Sequence, residues 1–104
     1  MELEQAASGF AAMGASHRLE VLRLLVRAGE SGLQVGEIAK RSGMAASTLA
    51  HHLKALESAG LIAQEKQGRA TLNRANYHHL EALASFILLE CCADTSNQEE
   101  PNRG

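Results

Sequence analysis

Cys91 and Cys92 stand side by side and are the only cysteines in the 104 residues. They sit in LLECCADTSNQEE, residues 88–100, where an apolar stretch gives way to a polar one. Adjacent cysteines enclose no intervening chain, so a disulfide between them would restrain almost nothing. A pair of thiolates is a soft donor set that selects thiophilic centres over magnesium or calcium. A packing role competes with this. Cys91 continues a helical stripe through Tyr77, Leu80, Ala84 and Ile87, and Cys92 follows Leu88 by four, so both could fill packed surface as free cysteines commonly do. Neighbouring side chains on a regular helix diverge by about 100°. Two sulfurs therefore meet at one centre only where the helix end loosens, and the polar ADTSN after Cys92 predicts such an end. On this reading a ligand that takes both sulfurs must bend the helix.

A second concentration of chemistry lies in the middle of the chain. The net charge is −2, yet residues 40–74 carry Lys40, Arg41, Lys54, Lys66, Arg69 and Arg74 against only Glu57 and Glu65. His51 and His52 fall inside this basic island. Such a cluster is either a solvated face or a nucleic-acid footprint. No Cys-x-x-Cys, glycine-rich phosphate loop or carboxylate pair beside a nucleophile is present, so an enzyme is not expected. The length predicts one domain with a modest core, a size that favours dimerisation. No stretch approaches the roughly 18–20 apolar residues needed to span a bilayer. The start, MELEQAASGF, has acids where a signal peptide has bases, so a cytoplasmic protein with reduced thiols is expected.

The elements that must position these residues follow from periodicity. Residues 3–14 read as a first helix. In SHRLEVLRLLVRAGE, Ser16 is the expected N-cap and Gly29 the stop. Leu19, Leu22, Leu25 and Val26 line one side of this helix, with Val21 and Leu24 on a second, as in a helix central to a bundle. Helices over 35–42 and 45–59 are joined by a short segment around Gly43, which reads as helix-turn-helix. The second has an inner stripe of Leu49, Leu53 and Leu56. Strands at 61–66 and 70–75 flank Gln67, Gly68 and Arg69 as a hairpin, with Gln64, Lys66, Gln67, Arg69 and Arg74 outward. Asn76 caps a last helix, and residues 93–104 form a flexible polar tail after a domain spanning 1–92. The expected fold is mainly α with a β-hairpin wing, a winged helix-turn-helix of order α-α-α-α-β-β-α. Leu80, Leu83, Phe86, Ile87, Leu88 and Leu89 give the last helix more apolar surface than one face can bury, which predicts a homodimer.

SHRLEVLRLL, GEIAKRSGMAASTLAHHLKALESAGLI and QGRATLNRA together resemble the ArsR/SmtB family of small metalloregulatory repressors over nearly the whole chain to Cys92. The resemblance implies a homodimer through the first and last helices. It also implies a repressor that leaves operator DNA when an inducer binds. A recognition helix presents its first turns to base edges in the major groove, here Ala46, Ser47, Thr48, His51 and His52. Lys40, Arg41 and Lys54 suit phosphates. On the wing, Lys66, Gln67 and Arg69 suit the neighbouring backbone and minor groove.

Members with a Cys-Cys pair at the end of the last helix resemble arsenic and antimony sensors, many with a third cysteine shortly after. This chain has none, and Gln98 stands six residues past Cys92. Arsenite has three replaceable oxygens and prefers three thiolates. A monomethyl trivalent arsenical has two free valences, which two cysteines match. The expected inducer is therefore a trivalent arsenical at Cys91 and Cys92, organic ones favoured over arsenite or antimonite, with no permanently bound cofactor. The family's zinc site is not matched, since Asn76 replaces its acid and Leu89 its later histidine. The family's Cys-x-Cys in the recognition region is also absent.

Two rival readings remain. One is a redox or reactive-sulfur repressor, although a helix C-terminus beside Glu90 disfavours thiolate. The other is a winged helix used only for protein contacts, with structural cysteines.

Overall fold

The computed structural model describes residues 1–95. The chain forms α1 (Leu3–Met13), α2 (Ser16–Ala28), a 3-10 turn (Gly29–Ser31), β1 (Leu33–Gln34), α3 (Val35–Ser42), α4 (Ala46–Ser58), β2 (Ile62–Gln67), β3 (Ala70–Ala75) and α5 (Tyr77–Leu88). The winged helix-turn-helix order is as expected, with one addition. β1 pairs antiparallel with β3 on the side away from β2, giving the sheet order β1-β3-β2. With two residues, β1 is too short to show a period in the sequence.

α2 buries Val21, Leu22 and Leu25, while α4 buries Leu49, Leu53 and Leu56. These side chains join Leu33, Ile38, Leu61, Ile62 and Leu83 in one core. Val21 of the expected second apolar face of α2 is fully buried and Leu24 half-buried, whereas Leu19 and Val26, at the two ends of the first stripe, are each 42% exposed. Ser16 is not the cap of α2 either. It is the first helical residue, and Ala15 precedes it without a side-chain cap.

Gly43 ends α3 in the left-handed region at φ 77°, which turns the chain so that α4 starts within a few residues. Gly32 meets a different demand. A Cβ there would lie 2.6 Å from the Asn73 carbonyl oxygen, so only glycine admits β3 this close.

Asn73 is the buried polar residue of the core. Its Nδ2 donates to the Leu33 carbonyl at 3.2 Å, and its Oδ1 accepts from Gln64 Nε2 at 2.7 Å. A buried amide is costly unless paired, and here both ends are paired, tying β1, β3 and β2 together. β2 is exposed after Ile62, so the hairpin projects from the body. Gln67 and Ala70 pair across the two-residue loop Gly68–Arg69.

α5 is capped by Asn76, whose Oδ1 accepts from the His79 N–H at 3.2 Å. Asn76 also donates from Nδ2 to the Gly60 carbonyl and from its backbone N–H to the Leu61 carbonyl. The start of α5 is thus fastened to the end of α4. Within one chain α5 buries only Leu83, against α1, where the Leu83 side chain reaches 2.9 Å from the position a Cβ on Gly9 would take. The polar tail expected over 93–104 lies, from residue 96 on, outside the described residues.

Candidate nucleic-acid interface and thiol pair

α3 and α4 carry the first part of the basic island. Lys40 and Arg41 in the last turn of α3 are exposed, and on α4 Ala46, Ser47, Thr48, His51 and Lys54 form an exposed face opposite its buried leucine stripe. His52 stands at the edge of this face. It is half-buried, with its ring centroid 6.0 Å from that of His17 and the planes tilted by 38°. Burial, and then the neighbouring Arg18, His17 and His51, push the His52 pKa below its ordinary value.

On the wing, Lys66, Gln67 and Arg69 are exposed. A groove of about 310 Å³ runs between α4 and the hairpin, lined by Ala50, Lys54, Glu57, Gln64, Lys66 and Thr71 among others. It brings Lys54 and Lys66, twelve residues apart in sequence and on different elements, to one channel. Arg74 was expected outward with these cations, but it turns back to the body. It donates to Glu65 Oε1 at 2.6 Å and to the Glu30 carbonyl at 3.0 Å. The wing's unpaired cations are therefore Lys66 and Arg69.

His17 and Thr71 also stand at this face, although the sequence did not mark them, and Gln64 joins them as the outward wing residue that was expected. Thr71 enters through strand register, and His17 comes from a helix 35 residues before its ring partner. No local pattern signals such a pairing.

At the other end of the chain α5 stops at Leu88, and successive turns follow. Cys91 N–H donates to the Leu88 carbonyl, Ala93 N–H to Glu90, and Thr95 N–H to Cys92, each at 3.0 Å. Cys92 is the one described non-glycine residue with positive φ, at 66°. Its Sγ lies 3.4 Å from that of Cys91, and both residues are exposed. Two expectations are corrected here. The cysteines are not packed into an apolar surface among the described residues, because the helix ends at Leu88 and the turns after it leave both exposed. Nor does a helix hold the sulfurs apart, because the turn at Cys92 has already brought them together. The hydrogen bond with Cys91, and then the nearby Cys91 charge, push the Cys92 pKa up. Among the described residues no group of three or more His, Cys, Asp or Glu side chains is placed to hold a metal ion. The described residues also contain no helix long and apolar enough to cross a membrane.

Comparison with known proteins agrees with this geometry. Residues 13–65 match a helix-turn-helix domain family. No curated protein matches the chain by sequence. Among solved structures, an ArsR-like transcriptional regulator from Rhodococcus sp. RHA1 is 31% identical, with 88% of this chain and 82% of that one aligned at a TM-score of 0.74. An ArsR family transcriptional regulator is 26% identical over 94% of this chain and 98% of that one, with a TM-score of 0.77. A homodimeric winged helix-turn-helix DNA-binding domain from Mycobacterium bovis, a possible ArsR-family regulator, is 27% identical over 98% and 90%, with a TM-score of 0.67. The fold, the exposed recognition helix and these likenesses define a winged-helix transcriptional regulator. The chain belongs to the ArsR family.

Proposed function

We propose that the chain is a homodimeric repressor that holds operator DNA and releases it when a trivalent arsenical bonds to Cys91 and Cys92. The observation that carries the ligand reading is the thiol geometry, two sulfurs 3.4 Å apart on an exposed turn. A dihydroxy organoarsenical forms two As–S bonds there and loses two As–O bonds. Each thiol proton leaves with a hydroxide as water, so the raised Cys92 pKa is no obstacle. The two sulfurs satisfy a centre with two free valences, whereas a structural zinc takes four ligands. A disulfide fits less well. It requires sulfurs about 2.05 Å apart and ordinarily spans Cα atoms about 4.4–6.8 Å apart, while neighbouring Cα atoms lie about 3.8 Å apart.

Dimerisation is supported by the apolar surface that α1 and α5 leave uncovered. Leu3 is 71% exposed, Ile87 64%, Leu88 65% and Leu89 72%. The homodimeric M. bovis neighbour supports it too. The thiol turn directly follows this apolar stretch, and Asn76 fastens the other end of α5 to α4. A ligand that fixes the turn therefore acts on the contact that spaces the two recognition helices. A hundredfold difference in operator affinity, about 2.7 kcal/mol, is within the usual range of such coupling.

The test is titration of operator release with phenyl or monomethyl arsenite, arsenite and antimonite. Cys91→Ser and Cys92→Ser should each bind operator yet fail to respond, and the organic arsenical should act at lower concentration than arsenite. Full release from the double serine variant would falsify the assignment.

A further inference from the structure

We propose that His17 is a further operator contact, taking a DNA backbone phosphate as it gains a proton, so that operator affinity rises as pH falls. The inference rests on the DNA-binding reading above and adds a residue from outside the helix-turn-helix. His17 is exposed at the start of α2, and its ring leans on His52 at the edge of the recognition face, next to exposed His51.

The charges of this corner are one-sided. Those that act on His52 are Arg18, His17 and His51, with no carboxylate among them. α1, which packs on both α2 and α4, contributes the Ala12 carbonyl, held by Arg18 Nε. The α1 acid Glu4 lies about 12 Å further along the helix, at eight residues of ~1.5 Å rise. On α2 itself Glu20 lines a separate groove with Arg23 and Arg27. The charges of α3 are Glu37, Lys40 and Arg41, and on β3 Arg74 is paired with Glu65; none of these acts on His52.

A phosphate beside a histidine ring favours its protonated form. His52 is shielded by burial, and His51 faces the bases, which leaves His17 as the exposed ring able to meet a phosphate flanking the recognition helix. The DNA complex then binds more protons than the free chain, so the association constant grows as pH falls, by at most about tenfold per pH unit for each proton taken up.

The test uses the full chain and a duplex that it selects from a randomised pool at pH 8, followed by fluorescence anisotropy at fixed ionic strength from pH 8 to pH 6. The parent should tighten about tenfold or more across this range, and His17→Gln should lose most of that gain. His17→Lys should bind at pH 8 about as tightly as the parent at pH 6, with a salt slope steeper by roughly one per half-site than that of His17→Gln at pH 8. A ring that merely packs on His52 would leave the lysine variant as weak as the glutamine one, and that result overturns the proposal. A parent-like pH profile in His17→Gln overturns it as well. Failure of the parent to bind duplex at any pH would instead remove the DNA-binding reading beneath it.

Discussion

Cys92 holds a backbone conformation that costs a side-chain-bearing residue energy, with φ at 66°. That conformation swings its sulfur from the helical direction toward Cys91. The same turn leaves both residues in solvent, where a small thiophile reaches them without unfolding anything. His52 shows the opposite economy, a titratable ring partly enclosed beside other cations. Its folded-state pKa is lowered, first by burial and then by Arg18, His17 and His51. The unfolded chain therefore binds this proton first, near the ordinary value of about 6.5. The contribution is fully present above that pH and is lost as pH drops through it toward the lower folded value. Urea titrations at pH 7.5 and 5.5 should show the parent less stable at the lower pH. His52→Gln should shrink that difference. Free-chain stability and operator affinity thus move in opposite directions with acid, which separates the roles of His52 and His17 experimentally.

At the scale of elements, α4 and the hairpin share one groove, which takes residues from both. The hairpin's aim depends on Asn73, whose paired amide links β1, β3 and β2. Lys54 on α4 and Arg69 in the hairpin loop are both exposed and free of ion pairs among the described residues. Replacing either by Ala should weaken operator binding and lower the salt slope by about one for each phosphate that is no longer neutralised, with little change in sequence preference. Binding isotherms at several salt concentrations measure this. A Ser47 or His51 substitution should instead blur sequence preference, since the first turns of a recognition helix are where base edges are read. Unaltered isotherms for all four variants would remove α4 from the interface.

For the whole molecule, the single chain leaves large apolar side chains uncovered at Leu3 on α1 and at Ile87 and Leu88 on α5, the kind of surface that marks a contact with a partner. Among the described residues, the C-terminal half of α5 meets its own chain through Leu83 beside Gly9 and through half-buried Phe86 on the core, while Ile87 and Leu88 stay exposed. In the proposed dimer, burying Leu88 and its counterpart supplies part of the association energy, at roughly 1.5–3 kcal/mol for each fully buried leucine. Leu88→Glu should therefore shift sedimentation toward monomer at micromolar concentration and weaken operator binding through loss of the paired half-site. A dimer of undiminished stability in that variant would place the interface elsewhere.

Helix periodicity, the Gly43 joint and the β-type residues around Gly68 determined the winged helix-turn-helix, because these are local properties that a short window contains. The basic island was legible for the same reason, since its cations crowd into 35 consecutive residues. The thiol pair was visible as a pair, but its geometry was not. Periodicity extends the α5 stripe through Cys91, and only the folded chain shows that the helix ends at Leu88 and breaks into turns. β1, the Arg74–Glu65 pair and the meeting of His17 with His52 were equally invisible. Each joins residues through sheet register or helix packing, and such long-range contacts exist only once the core of Leu25, Ile38, Leu49, Leu53 and Leu56 has set the elements against one another.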